Sequence, residues 1–284
     1  MTETEWSAVL TAAATGLLVI VGAAQLFVLH AQRRQQRLDL AEVYRRRWSE
    51  SANQWAAVVF LGREPGEFYQ VAGKEELTNF KNAVNESSVY AQDIWALHAV
   101  RTISSILSDV TLRILQGQIR ISDAYPIFGT EFLRHSSPLR SLLDGRGNSS
   151  YYGLVGPDQQ ERLHIDLRNH MQDWLIYHDG IRRRGLILID MLWAEATRLE
   201  DLPPSDIASA ADAKRSTGGL NRQRLKHEFY RLRSRWCFFS AWRLVRYLKH
   251  AEYRRLGRWI GVDKKRLALL DSEWTERLLR NYKN

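Results

Sequence analysis

The hydrophobic residues of this chain first occur as one long unbroken run. From Trp6 to Leu29 there are 24 consecutive positions without a charged side chain. About 20 apolar residues in a helix cross the hydrocarbon core of a bilayer, so the run predicts a transmembrane helix. Two glutamates precede it, and Arg33, Arg34 and Arg37 follow it. Because Lys and Arg flanks stay on the cytoplasmic side, we expect an inner (plasma) membrane protein with its N-terminus outside and its remaining residues in the cytoplasm.

A cleaved signal peptide is the alternative interpretation of this run. The small residues Gly22, Ala23 and Ala24 resemble a cleavage site. A signal peptide, however, begins with a basic region and has an apolar region of about 7 to 15 residues. This run is longer and its basic residues follow it, so we favour a retained anchor.

After the anchor, apolar residues recur at three- and four-residue spacing, and the two-residue alternation of strands is hard to find. We therefore predict an all-α fold: one N-terminal transmembrane helix followed by a cytoplasmic helical bundle. The expected helices are a stalk from Arg33 to Leu61, an apolar pattern between Lys74 and Gln116 that includes Ile94, a helix from Asp158 to Tyr177 with a capping box, and a helix from Ile181 to Leu199 that is buried on most sides.

Changes in composition predict four parts. Residues 1–31 form the outside tail and anchor, and residues 32–202 form the stalk helix and central helical domain. Residues 203–220 are predicted to be a linker, because Pro203, Pro204, Gly218 and Gly219 disfavour regular structure. Residues 221–284 form a basic, aromatic C-terminal helical pair.

The formal net charge of +9 is concentrated in this C-terminal part. Between Arg222 and Arg258 there are twelve basic residues against Glu228 and Glu252, with aromatic residues interleaved. Such a segment suits anionic lipid or nucleic acid, and it equally suits a packed helix whose basic face is solvated. The candidate polyanion-binding residues are Arg222, Arg224, Arg231, Arg235, Arg243, Arg246 and Lys249.

Small and polar residues share one face of the predicted anchor. Thr11, Thr15, Gly22 and Gln25 are separated by helical spacings, so they align along the span. Small residues let two helices approach closely, and Thr or Gln can donate hydrogen bonds across the interface. We expect this face to mediate homo-oligomerisation. A water-lined pore is a more specific alternative, and a chance pattern in an Ala- and Gly-rich span is a simpler one.

Sequence signals of catalysis are weak. His164, Asp166, His170, Asp173 and His178 lie on one predicted helix, but a solvated polar face explains them better than a metal site, and His178 is expected to be a hydrogen-bonded core histidine. The sequence has no P-loop, dinucleotide-binding glycine motif or zinc-binding cysteine pair. We therefore predict no catalytic residue, no metal and no cofactor.

The stalk sequence carries one resemblance. His30-Ala-Gln-Arg-Arg-Gln-Gln-Arg37 leads into Tyr44-Arg-Arg-Arg-Trp48, between a single span and an all-helical remainder. This arrangement resembles an uncharacterised bacterial family of single-pass, membrane-anchored proteins with all-helical cytoplasmic parts. Some similarly built proteins act as membrane effectors in phage defence. The resemblance covers about positions 6 to 60 and carries over no catalytic residue.

These observations favour a non-enzymatic, membrane-anchored effector or sensor. Its helical domain would dock a partner protein encoded elsewhere, and its anchor would self-associate and perturb the membrane, as the resemblance to phage-defence effectors implies. The alternatives are a polyanion-binding (nucleic-acid) subunit of a multi-component system and a membrane-tethered hydrolase that uses His170 and Asp173.

Overall fold

The computed structural model describes residues 3–63, 91–144, 159–232 and 264–282, with single positions at 78, 82 and between 241 and 248. All regular secondary structure in these residues is helical, which confirms the predicted all-α class. The helices are α1 (Glu3–Glu50), α2 (Ala52–Gly62), α3 (Ala91–Leu115), α4 (Ile121–Arg134), α5 (Ser136–Asp144), α6 (Gln159–Tyr177), α7 (Asp179–Leu199), α8 (Pro204–Leu232) and α9 (Lys264–Tyr282).

Helix α7 lies at the centre of the bundle. It packs against α3, α4, α5, α6 and α8. Leu186, Ile187, Leu188 and Ile189 are four consecutive positions with no exposed surface. A helix with four consecutive buried residues is covered all round, because four residues exceed one turn. The prediction of a helix buried on most sides is therefore confirmed.

Helix α3 supplies the largest surface against α7. Its residues at helical spacing, Val100, Ile103, Leu107 and Val110, are fully buried. Ile94, at the N-terminal end of the same helix, belongs to the predicted apolar pattern but is 66% exposed, so it is not part of the core. The same apolar pattern includes Leu77, Phe80 and Val84 in the sequence, and these residues lie outside the described ones.

The C-terminal end of α2 packs tightly against α5 and α6. A Cβ atom added at Gly62 would lie 2.2 Å from the carbonyl oxygen of Pro138, so only glycine permits this approach. The last carbonyl groups of a helix lack partners within the helix. Here His164 Nε2 lies 2.9 Å from the Phe60 oxygen, and Arg168 Nη1 donates to the Arg63 oxygen at 3.0 Å. These two buried side chains of α6 thus cap α2.

The segment predicted as a linker, 203–220, is helical from Pro204 onward. Proline is favoured at the first position of a helix, and each glycine inside a helix costs only about 1 kcal/mol. Burial of Ile207 and Leu225 in the same core as α7 offsets that cost. Local composition was therefore a poor guide, because tertiary packing outweighs two glycines.

Helix α1 has two unlike halves. From Ala13 to Gln36 every residue is exposed except the partly exposed Gly22, whereas Ala41 and Tyr44 are buried against the bundle. Among the described residues α1 is the one helix long and apolar enough to cross a membrane. The helix contacts α4, α3 and α2 through its C-terminal half.

Candidate functional site

The N-terminal half of α1, up to Gln36, is the projecting half of this helix, and it exposes large apolar side chains. Leu18, Leu26 and Phe27 are each at least 70% exposed, and several neighbours exceed 60%. Full burial of one such side chain is favourable by about 1.5–3 kcal/mol, so a helix with this surface is unfavourable in water. The projecting half therefore requires a cover that the bundle does not supply.

The predicted oligomerisation face lies on this half. Thr11, Thr15 and Gln25 are exposed and Gly22 is partly exposed. A Cβ atom added at Gly22 would meet no atom within 4 Å, so this face is open to a second helix. The Thr15 hydroxyl already donates to the Thr11 carbonyl oxygen at 2.7 Å, which satisfies it within the helix. Close approach at Gly22 and hydrogen bonding by Gln25 then become the stronger reasons for association, which stays a prediction.

Four aromatic rings join the projecting helix to the bundle. Trp48 of α1 lies 4.9 Å from Phe128, 5.6 Å from Phe132 and 5.4 Å from Trp55, measured between ring centroids. Its contacts with the two phenylalanines are edge-to-face, the geometry that aromatic quadrupoles favour. This aromatic junction anchors α1 to α2 and α4.

A glycine shapes the α4 side of the aromatic junction. Gly129 has φ of +70°, a left-handed conformation that glycine adopts at little cost. It interrupts the helical dihedral angles of α4 between Phe128 and Phe132. Both phenylalanines still reach Trp48, so the interruption falls at the point where α4 meets α1.

The candidate polyanion-binding residues separate into different environments. Arg224 is bound inside the fold, since its Nη2 donates to Asp144 and its Nη1 to Asn221, both at 2.6 Å. Arg231 is half-exposed and lies 3.5 Å from Glu228, and Arg222 is partly exposed. Arg235, Arg243, Arg246 and Lys249 lie outside the described residues. Polyanion binding stays a prediction, and Arg224 also has a structural role.

A buried carboxylate that sequence reasoning missed lies within the basic segment. Glu228 is 1% exposed and accepts hydrogen bonds from Arg183 Nη2 at 2.9 Å and from Arg184 Nη1 at 3.1 Å. Arg184 Nε also donates to Ser108 Oγ at 2.7 Å. This ion cluster links α8, α7 and α3, and every buried charge in it has a partner of opposite sign.

A second buried carboxylate, Asp190, lies on α7 with no exposed surface. It accepts hydrogen bonds from Arg140 of α5 and Asn221 of α8. Asn221 in turn accepts from Arg224, so the network continues to Asp144. The sequence does indicate that Asp190 needs a partner, because it lies inside the apolar run of α7. Which residues are the partners depends on the tertiary fold.

The histidine and aspartate residues of α6 do not converge. His170 Nδ1 lies 3.0 Å from Asp93 Oδ1 in an exposed pair. His178 is half-buried, stacks on Trp174 and has its Nδ1 2.8 Å from the Trp174 carbonyl oxygen. His164 is the buried member and caps α2. Within the part of the chain that the structure describes, no three His, Cys, Asp or Glu residues form a group that could hold a metal ion.

Arg266 of α9 attaches this helix to Glu200, the residue that ends α7. Arg266 Nε and Nη2 donate to the two carboxylate oxygens of Glu200 at 3.1 and 2.8 Å. This two-point hydrogen bond holds the pKa of Glu200 below its ordinary value, against the opposing effect of burial. Glu200 itself has a left-handed backbone conformation and ends α7. The pair is therefore a local attachment that acid should weaken.

No protein-family model, curated protein or solved structure matches the chain.

Proposed function

We propose that this protein is a non-enzymatic, single-pass membrane protein in which α1 is the anchor and the bundle is a cytoplasmic effector or sensor domain. The observation that carries the proposal is the exposed apolar surface of α1 between Ala13 and Leu29. A bilayer covers such a surface all round, whereas a docked protein covers one side. The length also suits a bilayer, because 24 residues at 1.5 Å each span about 36 Å.

The charge distribution along α1 supports the proposed orientation. Arg33, Arg34 and Arg37 follow the apolar run directly, and the bundle lies on the same side. Positive residues close to a span remain in the cytoplasm, which supports a cytoplasmic bundle. The aromatic junction then transmits force between anchor and bundle, because its packed rings resist independent movement of α1.

Self-association supplies the effector mechanism in this proposal. Anchors confined to one membrane meet at high effective concentration, so weak contacts at the Gly22 and Gln25 face suffice once a partner brings bundles together. Assembled anchors would then perturb the bilayer, which is how some similarly built proteins act as membrane effectors in phage defence.

Topology tests the proposal directly. We expect a green fluorescent protein fused after Asn284 to be fluorescent, and an alkaline phosphatase fused there to be inactive, because the first folds in the cytoplasm and the second requires the periplasm. The protein should also remain in the membrane pellet after alkaline carbonate extraction. Active phosphatase would overturn the proposed orientation. Extraction into the supernatant, or a mature N-terminus near Gln25, would overturn the membrane anchor itself.

A further inference from the structure

A basic cavity lies where α1 leaves the bundle. Its volume is about 630 Å³, and it is enclosed by α1 on one side and by the turn between α3 and α4 on the other. The α1 wall includes His30, Arg33, Gln36 and Arg37, and the turn contributes Gln118 and Arg120. Ligand cavities for small molecules have volumes of about 300–1,000 Å³, so the space accommodates a headgroup-sized molecule.

The sequence of α1 explains why this cavity is basic. Arg33, Arg37, Ala41 and Tyr44 lie on one face of the helix at spacings of four and three. Ala41 and Tyr44 are buried against the bundle. One and two turns earlier the same face carries arginines instead, directed towards the α3–α4 turn. The face therefore changes from packing surface to cationic surface as it nears the predicted membrane.

The cavity has an excess of unneutralised positive charge. Three arginines line it and no Asp or Glu does. Among the described residues Arg33 and Arg37 form no ion pair, and the Nε of Arg37 is buried without a hydrogen-bond partner. Asp123, the acidic residue nearest to Arg120 in the chain, accepts instead from the Arg120 backbone amide at 3.2 Å. A buried guanidinium donor without an acceptor is costly, so an anionic ligand would be stabilised here.

The depth of the cavity agrees with a lipid headgroup. Arg33 and Arg37 follow Leu29 by four and eight residues, about 6 and 12 Å along the helix. The headgroup layer is about 5–7 Å thick on each side of the hydrocarbon core. With Leu29 at the edge of the hydrocarbon, Arg33 lies within the headgroup layer. The backbone of Arg37 lies about 5 Å beyond it, a gap that its side chain can span because helical side chains tilt towards the N-terminus.

We propose that this cavity binds the phosphodiester headgroup of an anionic phospholipid of the inner leaflet. Guanidinium groups match phosphate oxygens through paired hydrogen bonds, and Arg37 and Arg120 approach from opposite walls. Binding would fix the α3–α4 turn against the membrane and set the tilt of the bundle. The inference rests on the proposed membrane anchor, and the test below separates the two.

The test measures lipid retained by the full-length protein. The detergent-solubilised protein is titrated with phosphatidylglycerol, with phosphatidylcholine of the same acyl chains, and with inorganic phosphate, and bound molecules are counted by native mass spectrometry. We expect one phosphatidylglycerol per chain at concentrations where the other two probes leave the chain unoccupied. Equal retention of phosphatidylcholine, or equally tight binding of inorganic phosphate, would overturn a lipid-headgroup site.

Matched variants assign the binding to the cavity. Arg37→Gln with Arg120→Gln should weaken phosphatidylglycerol binding about 30-fold, since each basic residue contributes about fivefold near an anionic surface. Arg34→Gln with Arg46→Gln removes the same charge from exposed positions of α1 that do not line the cavity. This control should change binding less than threefold, and an equal loss in both double variants would show general charge attraction instead.

A third variant guards against misfolding. In the Gln36→Glu variant the new side chain has nearly the same shape and helix propensity as the old one, and the position is exposed. The glutamate carboxylate would form ion pairs with the arginines of the cavity and so compete with the lipid phosphate. It should also abolish phosphatidylglycerol retention, and retention at the parent level would contradict the site. Carbonate extraction of cells that express the parent protein distinguishes the two failures. A parent protein that leaves the membrane refutes the anchor, while a membrane-resident parent that does not prefer phosphatidylglycerol refutes the cavity alone.

Discussion

Helix α7 and the projecting half of α1 are both apolar helices, but they differ in charge and in cover. Helix α7 carries Arg183, Arg184 and Asp190 among its aliphatic residues, and each of these charges has a partner on another helix. From Ala13 to Leu29 the apolar run of α1 carries no charge and is exposed throughout, except at the partly exposed Gly22. The four consecutive buried residues in α7 contrast with this exposed surface on α1.

The difference shows how two environments select sequences. A helix buried in a water-soluble bundle can keep charged groups, because its neighbours supply counter-charges at fixed positions. A helix in lipid has no such neighbours, so charge is excluded along its whole length. The absence of charge in α1, rather than its hydrophobicity alone, is therefore what favours the proposed anchor over a core helix.

The largest effect should follow from removing a partner in the core. In the Glu228→Ala variant Arg183 and Arg184 lose their shared buried carboxylate. Breaking a buried pair in this way destabilises a protein by about 3–5 kcal/mol. We expect a lowered thermal midpoint for the full-length protein in detergent, followed by circular dichroism.

The matched control for Glu228 is Glu273→Ala. Glu273 is 47% exposed and pairs with Arg266 on the surface of α9, so its loss should cost less than about 1 kcal/mol. Similar midpoints for the two variants would mean that the buried ion cluster contributes no more than a surface pair.

The same leucine truncation in both regions tests the comparison itself. Leu188 is fully buried in α7, whereas Leu18 is 72% exposed on α1. Leu188→Ala should destabilise the bundle by about 2–5 kcal/mol through lost transfer energy and a cavity. Leu18→Ala should leave the thermal midpoint of the bundle unchanged, because no bundle atom loses a contact. A comparable fall in both midpoints would show that the projecting half folds back onto the bundle.

A smaller effect is expected for association of the anchor. Gly22→Ile with Gln25→Leu blocks close approach and removes the donor from the proposed face while keeping the span apolar. Interhelical hydrogen bonds in membranes contribute about 0.6 kcal/mol on average, so crosslinked oligomers in membranes should decrease severalfold rather than vanish.

The control for the anchor face is Leu18→Ile with Leu26→Val, a change confined to exposed aliphatic positions. It should leave the crosslinked oligomers at the parent level. If the Gly22 and Gln25 variant also assembles like the parent, this face is ordinary lipid-facing surface.

The sequence predicted those features that depend on the residue pattern within a single helix. The spacing of Leu188 and Leu192 indicated the core helix, and the uncharged run indicated the projecting one. It failed where segments distant in sequence meet. Arg183 and Glu228 are 45 residues apart, so no local pattern identifies their pairing. The basic cavity likewise requires the α3–α4 turn to lie against α1, which periodicity cannot reveal.

The smallest effect concerns acid and the attachment of α9. Arg266 lowers the pKa of Glu200 in the folded protein, so the pair stabilises the fold above the unfolded pKa and loses this contribution as pH falls through the folded pKa. In Glu200→Gln the contribution is missing at every pH. The thermal midpoints of parent and variant should therefore differ most above the ordinary pKa of glutamate and converge as the pH falls through the lowered pKa of Glu200. A difference that stays constant over this range would mean that the Glu200 side chain acts through packing and not through its charge.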